Sequence, residues 1–259
     1  MPARITRALL TGASAGLGAH FARQLAARGV DLVLVARRAD RLDALAQELP
    51  VDVEVVAADL TDPADRARVT ARLTATQRPV DLLVNNAGAG VYGAFAELDP
   101  DRQLDVVTLN VTALTELARA VAPQLVARGR GGILNVGSTA GYQPDPFGTV
   151  YGATKAYVRS FSEALHEELR PQGVHVMLLA PGFTETEFQQ VAGVAGDPLP
   201  SAARMRPEVV VAAALRDFAR GRAVCVPGGI NRLTAVVSDA SPSAISRRVS
   251  GALHRRFHT

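Results

Sequence analysis

The sequence is almost without lysine. Of 28 basic side chains one is lysine, Lys155, and the rest are arginine. An ammonium is a compact point charge and a guanidinium a broad fork, so some sites cannot exchange them. In a chain that uses arginine wherever arginine serves, the surviving lysine marks a place where it does not. Cysteine is equally scarce. Cys225 alone excludes an internal disulfide and a cysteine-based zinc cluster, and it fits a reducing compartment. No apolar run reaches the roughly 18 residues needed to span a bilayer. The first ten residues lack the apolar core and cleavage site of a signal peptide. The expectation is a soluble, cytoplasmic protein. The five histidines show no metal-ligand spacing, so no metal is expected.

What is present points to a folded α/β protein. The 259 residues are 48% apolar and 20% charged, enough to bury a sizeable core. The net charge of +3 is unevenly placed. Residues 204–259 hold ten arginines against Glu208, Asp217 and Asp239, or +7, which leaves −4 for residues 1–203. The basic character is local, so no nucleic-acid partner is expected for the body of the protein. In the last residues Ile245, Val249, Ala252 and Leu253 fall at helical spacing, with Arg247, Arg248, Arg255 and Arg256 around them. Three readings of this tail stay open: a helix docked on the body or a partner subunit, peripheral contact with an anionic membrane surface, and nucleic-acid contact.

Short apolar runs at 5–10, 31–36, 51–57, 80–84, 132–136, 174–180 and 223–226 read as strands. Between them, 19–28, 38–48, 61–77, 101–128, 150–170 and 207–220 read as helices. Strands that are apolar throughout and alternate with helices mean a parallel sheet covered on both faces. Seven of them make one doubly wound, Rossmann-type domain. The expected organisation is that domain over residues 1–240, with a basic amphipathic tail over 241–259. Residues 183–206 are the least regular stretch. Phe183, Phe188, Val191 and Val194 within it suggest an apolar lid, and hence an apolar substrate.

Ligands in such sheets sit beyond the carboxyl ends of the strands. The first strand ends in Gly12-Ala13-Ser14-Ala15-Gly16-Leu17-Gly18. Glycines there let backbone amides approach a pyrophosphate, and the following helix N-terminus favours its charge. After the second strand, where an acid would bond a ribose 2′-hydroxyl, stand Arg37 and Arg38. Two guanidiniums suit a 2′-phosphate, so NADP(H) is expected in preference to NAD(H). Asp59 and Leu60 are placed to meet the adenine. Asn86-Ala87-Gly88 forms a second small turn at the same edge.

Tyr151 alone among the four tyrosines has a lysine four residues on, which places both on one helix face. A nearby ammonium favours the phenolate, so the tyrosine pKa is expected to fall. Such a tyrosine can exchange protons near neutral pH. Ser138, after the fifth strand, could bond a substrate oxygen. Asn110 lies within a helical tract for which asparagine is a mediocre choice, and could hold a water that relays protons to Lys155. Gly137-Ser138-Thr139-Ala140-Gly141 lacks the spacing of a nucleophile elbow, which disfavours a hydrolase.

In order and spacing, Gly12-x3-Gly16-x-Gly18, Asn86-Ala87-Gly88, Asn110, Ser138, Tyr151-x3-Lys155 and Pro181-Gly182 resemble the short-chain dehydrogenase/reductase family, over about residues 5–230. The resemblance implies a strand order of 3-2-1-4-5-6-7 and an NAD(P)(H)-dependent oxidoreductase. It implies Tyr151 as general acid/base, Ser138 as orienter of a carbonyl or alcohol, and Lys155 as ribose binder. It implies Asn110 as support for the proton relay. Pro181, Gly182, Thr184 and Thr186 are similar to the segment that meets the nicotinamide carboxamide, with Thr184 where members usually carry an aliphatic residue. A homodimer or homotetramer through helices at about 101–128 and 150–170 is implied too. The competing expectation is a nucleotide-binding regulator that kept the fold and lost turnover.

Overall fold

The computed structural model describes residues 5–193, 204–241, 246–248, 250 and 251. Its described residues form a seven-stranded, all-parallel sheet in the order 3-2-1-4-5-6-7, the order the resemblance implies. The strands are β1 (Arg7–Thr11), β2 (Asp31–Ala36), β3 (Val53–Ala57), β4 (Leu82–Asn85), β5 (Gly132–Val136), β6 (His175–Leu179) and β7 (Val224–Cys225).

Strand side chains alternate between faces with period two, and the core divides accordingly. Ala8 and Leu10 of β1, Leu32 and Leu34 of β2 and Leu134 of β5 face α1 (Gly16–Ala26) and α8 (Pro207–Ala219), meeting Phe21, Leu25 and Phe218. Leu9, Val33, Leu83 and Ile133 point the other way. They meet Val69 and Leu73 of α3 (Pro63–Thr74) and Leu117, Val121 and Leu125 of α5 (Leu114–Arg128). The remaining helices are α2 (Ala39–Glu48), α4 (Pro100–Val107), α6 (Thr149–Leu169), α7 (Phe188–Ala192) and α9 (Gly229–Ala240).

Local chemistry sets the helix ends. Asp62 caps α3 by accepting from the Asp65 N–H at 2.9 Å, with Pro63 in the first turn. Asp99 does the same for α4, ahead of Pro100. Gly129, left-handed at φ 59°, closes α5.

The tract expected as one helix over 101–128 is interrupted. Residues Thr108–Ala113 form a π turn between α4 and α5. Helix α9 is also an addition to the expected elements. Its apolar Ile230, Leu233, Val236 and Val237 face outward, and Ala235 is its one buried residue. The irregular stretch after β6 contains α7 and a bridge between Thr184 and Met205. Val194 lies outside the described residues, as do the tail positions Ile245, Val249, Ala252, Leu253, Arg255 and Arg256. No helix among the described residues is long and apolar enough to cross a membrane.

Asp81 pins the amino ends of the central strands. Its carboxylate accepts from the backbone N–H and hydroxyl of Thr6 and from the Arg128 guanidinium at 3.0 Å. Burial pushes its pKa up, but the Thr6 hydrogen bonds and the Arg128 charge outweigh that and hold it below the usual carboxylate range. A carboxyl depressed in the fold stabilises it above its unfolded pKa and loses that contribution only as pH falls through the folded value. Asp81→Asn leaves the Arg128 charge without its partner and is expected to cost about 3 kcal/mol. Urea unfolding at neutral pH measures this, and the cost should shrink in strong acid.

Candidate active site

The carboxyl ends of β1 to β6 open into a cleft of about 480 Å³. Its floor is the glycine loop. Gly12 (φ 66°) and Gly16 (φ 51°) hold left-handed backbone that suits glycine. A Cβ on Gly18 would collide with the Gly12 carbonyl oxygen, and one on Gly12 would lie 2.8 Å from Asn86 Nδ2. The loop is tied to its neighbour after β4. Thr11 Oγ1 accepts from the Asn86 and Ala87 N–H groups at 3.0 and 2.9 Å, and Asn86 Nδ2 donates to the Thr11 carbonyl at 2.9 Å. These residues form a backbone cradle open to the N-terminus of α1, which fits an extended diphosphate.

Most of the expected site residues line this one cleft. Ser14, Ala15, Gly16 and Leu17 do so from the first loop, Arg37 and Arg38 from the second, and Asp59 and Leu60 from the third. Asn86, Ala87 and Gly88 line it after β4, and Pro181, Gly182, Thr184 and Thr186 after β6. Gly18 and Asn110 stand behind the wall. Asp59 accepts from the Thr61 hydroxyl at 2.7 Å and pairs with Arg37 at 3.7 Å. Arg38 donates to Ser14 Oγ at 3.1 Å. Thr184 turns its hydroxyl inward, donating to the Gly182 carbonyl at 3.1 Å.

Ser138, Tyr151 and Lys155 meet at the inner end. Ser138 caps a short 3-10 turn, accepting from the Ala140 N–H at 3.1 Å, and its hydroxyl favours the phenolate of Tyr151. Tyr151 and Lys155 lie on α6 with 7% and 5% exposure. Lys155 Nζ donates to the Val136 carbonyl at 2.9 Å and sits 5.7 Å from the centre of the Tyr151 ring.

The tyrosine does not titrate in the direction expected from its neighbouring lysine. Burial pushes the phenol up to about 12, with Ser138 pulling it down and the Asp145 charge pushing it further up. Burial also lowers Lys155 to about 8. The ammonium is directed at a backbone carbonyl rather than at the phenol oxygen. Desolvation, which opposes both charges, therefore prevails.

Asn110 is 1% exposed. Its Oδ1 accepts from the Ala89 N–H, while Nδ2 donates to the Ala89 carbonyl and Thr154 Oγ1, each at 2.9 Å. The amide is engaged with protein partners on both sides.

Phe188, expected in an apolar lid, places its ring 5.4 Å from that of Tyr151. Other residues of the site went unread in the sequence. The Tyr92 ring lies 5.7 Å from that of Tyr151. Asp145 accepts from the Tyr92 hydroxyl at 3.4 Å. Arg41 and Glu187 form an ion pair at the mouth. Arg41 was legible as a partner for Arg38, three residues earlier on one helix face. Nothing local marked the others. No group of metal ligands occurs among the described residues.

A model of short chain dehydrogenases matches residues 6–194. The chain belongs to the short-chain dehydrogenase family. It is an oxidoreductase of that family, whose members use a nicotinamide cofactor. It is 40% identical over 190 residues to an NADP-dependent 3-hydroxy acid dehydrogenase of Salmonella typhi, a span covering 71% of this chain and 75% of that protein. A short-chain dehydrogenase from Sphingobium yanoikuyae, solved in complex with NADPH, is 40% identical with a TM-score of 0.81, covering 97% of this chain and 95% of that one. A bulky-bulky ketone specific alcohol dehydrogenase from Comamonas testosteroni is 36% identical with a TM-score of 0.77, covering 94% and 96%.

Lys155 reaches the Val136 carbonyl from α6 with a compact ammonium, 2.9 Å away, a contact that a longer, planar guanidinium would not make in the same place. Displacements of the order of 1 Å at a reacting centre cost about 100-fold in rate. Lys155→Arg, which keeps the charge, is expected to lose at least that much in kcat/KM, with the fold intact by circular dichroism.

Proposed function

We propose that this short-chain dehydrogenase is an NADP(H)-dependent carbonyl reductase or alcohol dehydrogenase with Tyr151 as its general acid and base. The reading rests on one observation: Ser138, Tyr151 and Lys155 meet in the cleft whose floor is the Gly12–Gly18 cradle. A purely regulatory nucleotide binder needs the cradle but not the buried tyrosine.

When bound, a nicotinamide dinucleotide supplies the hydride. The protein supplies position and protons. Ser138 orients the substrate oxygen by hydrogen bonding. The Tyr151 phenol, protonated at rest, donates to that oxygen as negative charge develops on it. Lys155, held on the Val136 carbonyl, is the group that would hold the ribose hydroxyls. Asn110 fixes the Ala89 loop and α6, supporting the proton relay by position. For the alcohol direction the same tyrosine, deprotonated, accepts the proton.

Cofactor choice is read from charge. Arg38, braced on Ser14, would meet a 2′-phosphate, and Arg37 lies beside Asp59 on the adenine side. The NADPH complex of the Sphingobium yanoikuyae relative supports this reading. Val91, Phe188 and Val191 line the substrate end, which favours a ketone or secondary alcohol with apolar substituents. The Comamonas testosteroni bulky-ketone enzyme supports that class. We read residues 1–240 as the catalytic domain and residues 241–259 as an appendage. Exposed Leu104, Val107 and Tyr157 on α4 and α6 are read as a contact face with a second copy.

The deciding experiment follows NADPH oxidation against a panel of ketones. Turnover is expected on bulky apolar members. Tyr151→Phe should reduce it by at least about 100-fold, the low end for a lost general acid, with NADPH affinity nearly unchanged. Tight NADPH binding without turnover on any carbonyl would instead identify a regulator.

The pH dependence follows from the resting protonation states. Lys155 keeps its proton below about 8 and Tyr151 up to about 12. Ketone reduction needs both protons, so kcat/KM for the ketone should be flat below about 8 and fall above it. A rate that climbs with pH through this range would contradict the assignment of Tyr151 as acid.

A further inference from the structure

Arg38 and Arg41 stand at the start of α2, three residues apart and on one face. They lie at the positive end of the helix dipole, where an anion is favoured and a cation is not. Both reach the same acid. Arg38 Nη1 donates to Glu187 Oε2 at 3.3 Å, and Arg41 Nη1 donates to Oε1 and Oε2 at 3.0 and 3.1 Å. The hydrogen bonds from Arg41 and then Arg38 hold the Glu187 carboxyl below the usual carboxylate range. Glu187 comes from the far side of the cleft, immediately before α7.

We infer that Glu187 is an internal stand-in for the cofactor 2′-phosphate and a determinant of cofactor discrimination. It occupies the Arg38–Arg41 pair until the phosphate displaces it. The inference rests on the NADP(H) reading and assigns Arg41 to the phosphate subsite.

Three features carry it. The subsite already binds an anion, through the arginine that is also braced on Ser14. The contact is easily exchanged: the three side chains are 43–50% exposed, and exposed pairs of this kind are weak. A phosphate carries more charge than a carboxylate and offers three acceptor oxygens to two guanidinium forks. It would displace Glu187, and the carboxylate would oppose its approach. A cofactor without that phosphate leaves the contact in place. Glu187 thus weakens NADP(H) binding selectively.

The consequence reaches the substrate end. Phe188, next in sequence, packs 5.4 Å from the Tyr151 ring, and Gln189 donates to the Thr184 carbonyl at 2.8 Å. Displacing Glu187 therefore bears on the segment that walls the substrate.

Binary dissociation constants for NADPH, NADH, adenosine 2′,5′-bisphosphate and ADP test the inference in wild type, Glu187→Gln and Arg38→Ala. Glu187→Gln should tighten NADPH and the bisphosphate about three- to tenfold, as expected for releasing exposed ion pairs. NADH and ADP should be unchanged. Equal tightening of NADPH and NADH would overturn the inference. So would unchanged NADPH affinity in Glu187→Gln. In that case Arg38→Ala separates two failures. If it weakens NADPH and spares NADH, the NADP(H) reading stands and only the stand-in falls. If it spares NADPH as well, both fall.

Discussion

The carboxamide of Asn110 fastens together the pieces of chain that make the cleft. One end takes the Ala89 N–H, and the other gives to the Ala89 carbonyl and to Thr154. Thr154 in turn donates to the Tyr151 carbonyl at 2.7 Å and immediately precedes Lys155. A buried amide left unpaired costs about 1–3 kcal/mol, so these bonds form together or the local geometry fails. They fix the loop after β4 and the rotation of α6 in one stroke. A second buried ladder, from Asn85 through Asn135 to Ser162, repeats the linkage across β4, β5 and α6. The π turn around Asn110 is the backbone counterpart of this fastening. Such widenings of a helix are frequent at functional sites.

Once α6 is fixed, burial governs the electrostatics. Tyr151 and Lys155 are placed where water is excluded, and desolvation disfavours the charged form of each. The phenol is held protonated, while the ammonium is brought within reach of deprotonation. That is a proton-rich resting state suited to donation. A positive charge entering the cleft would favour the phenolate and disfavour the ammonium, lowering both values together. The protonation state the phenol favours therefore depends on the charge beside it.

The sheet was legible in the sequence because each strand is a short apolar run and each crossover an amphipathic one. The side chains of Ala8, Leu9 and Leu10 alternate between the two cores as period two requires. Glycine spacing, Ser138 and the Tyr151–Lys155 pair were legible because the chemistry demands those residue types at fixed offsets. Other features were hidden for physical reasons. The π turn depends on what Asn110 bonds across space, which helical periodicity does not register. Helix α9 turns its apolar face outward, against the rule used to recognise a helix that packs on a core. Glu187 meets Arg38 only because the chain returns across the mouth after β6, so no local pattern marks it. The upward shift of Tyr151 was missed because adjacency on a helix gave the lysine, while the direction of its Nζ and the burial are tertiary facts.

The scarcity of lysine acquires a structural meaning from how arginine is used elsewhere. Arg7, 7% exposed, reaches two carboxylates at once, Asp31 and Asp52. Arg66 bonds Glu116 and the carbonyls of Leu60 and Thr61. Arg128 bonds Asp81 and the Val80 and Gln124 carbonyls. The forks of Arg66 and Arg128 serve several acceptors through different nitrogens, and no ammonium would satisfy them equally well. At Lys155 the demands reverse. Among the described residues Nζ has one hydrogen-bond acceptor, the Val136 carbonyl. Burial brings the ammonium to about 8, where its proton is exchangeable. A guanidinium keeps its charge throughout this range. A compact head on a single acceptor, with a proton that burial loosens, is what lysine supplies at position 155 and a guanidinium does not.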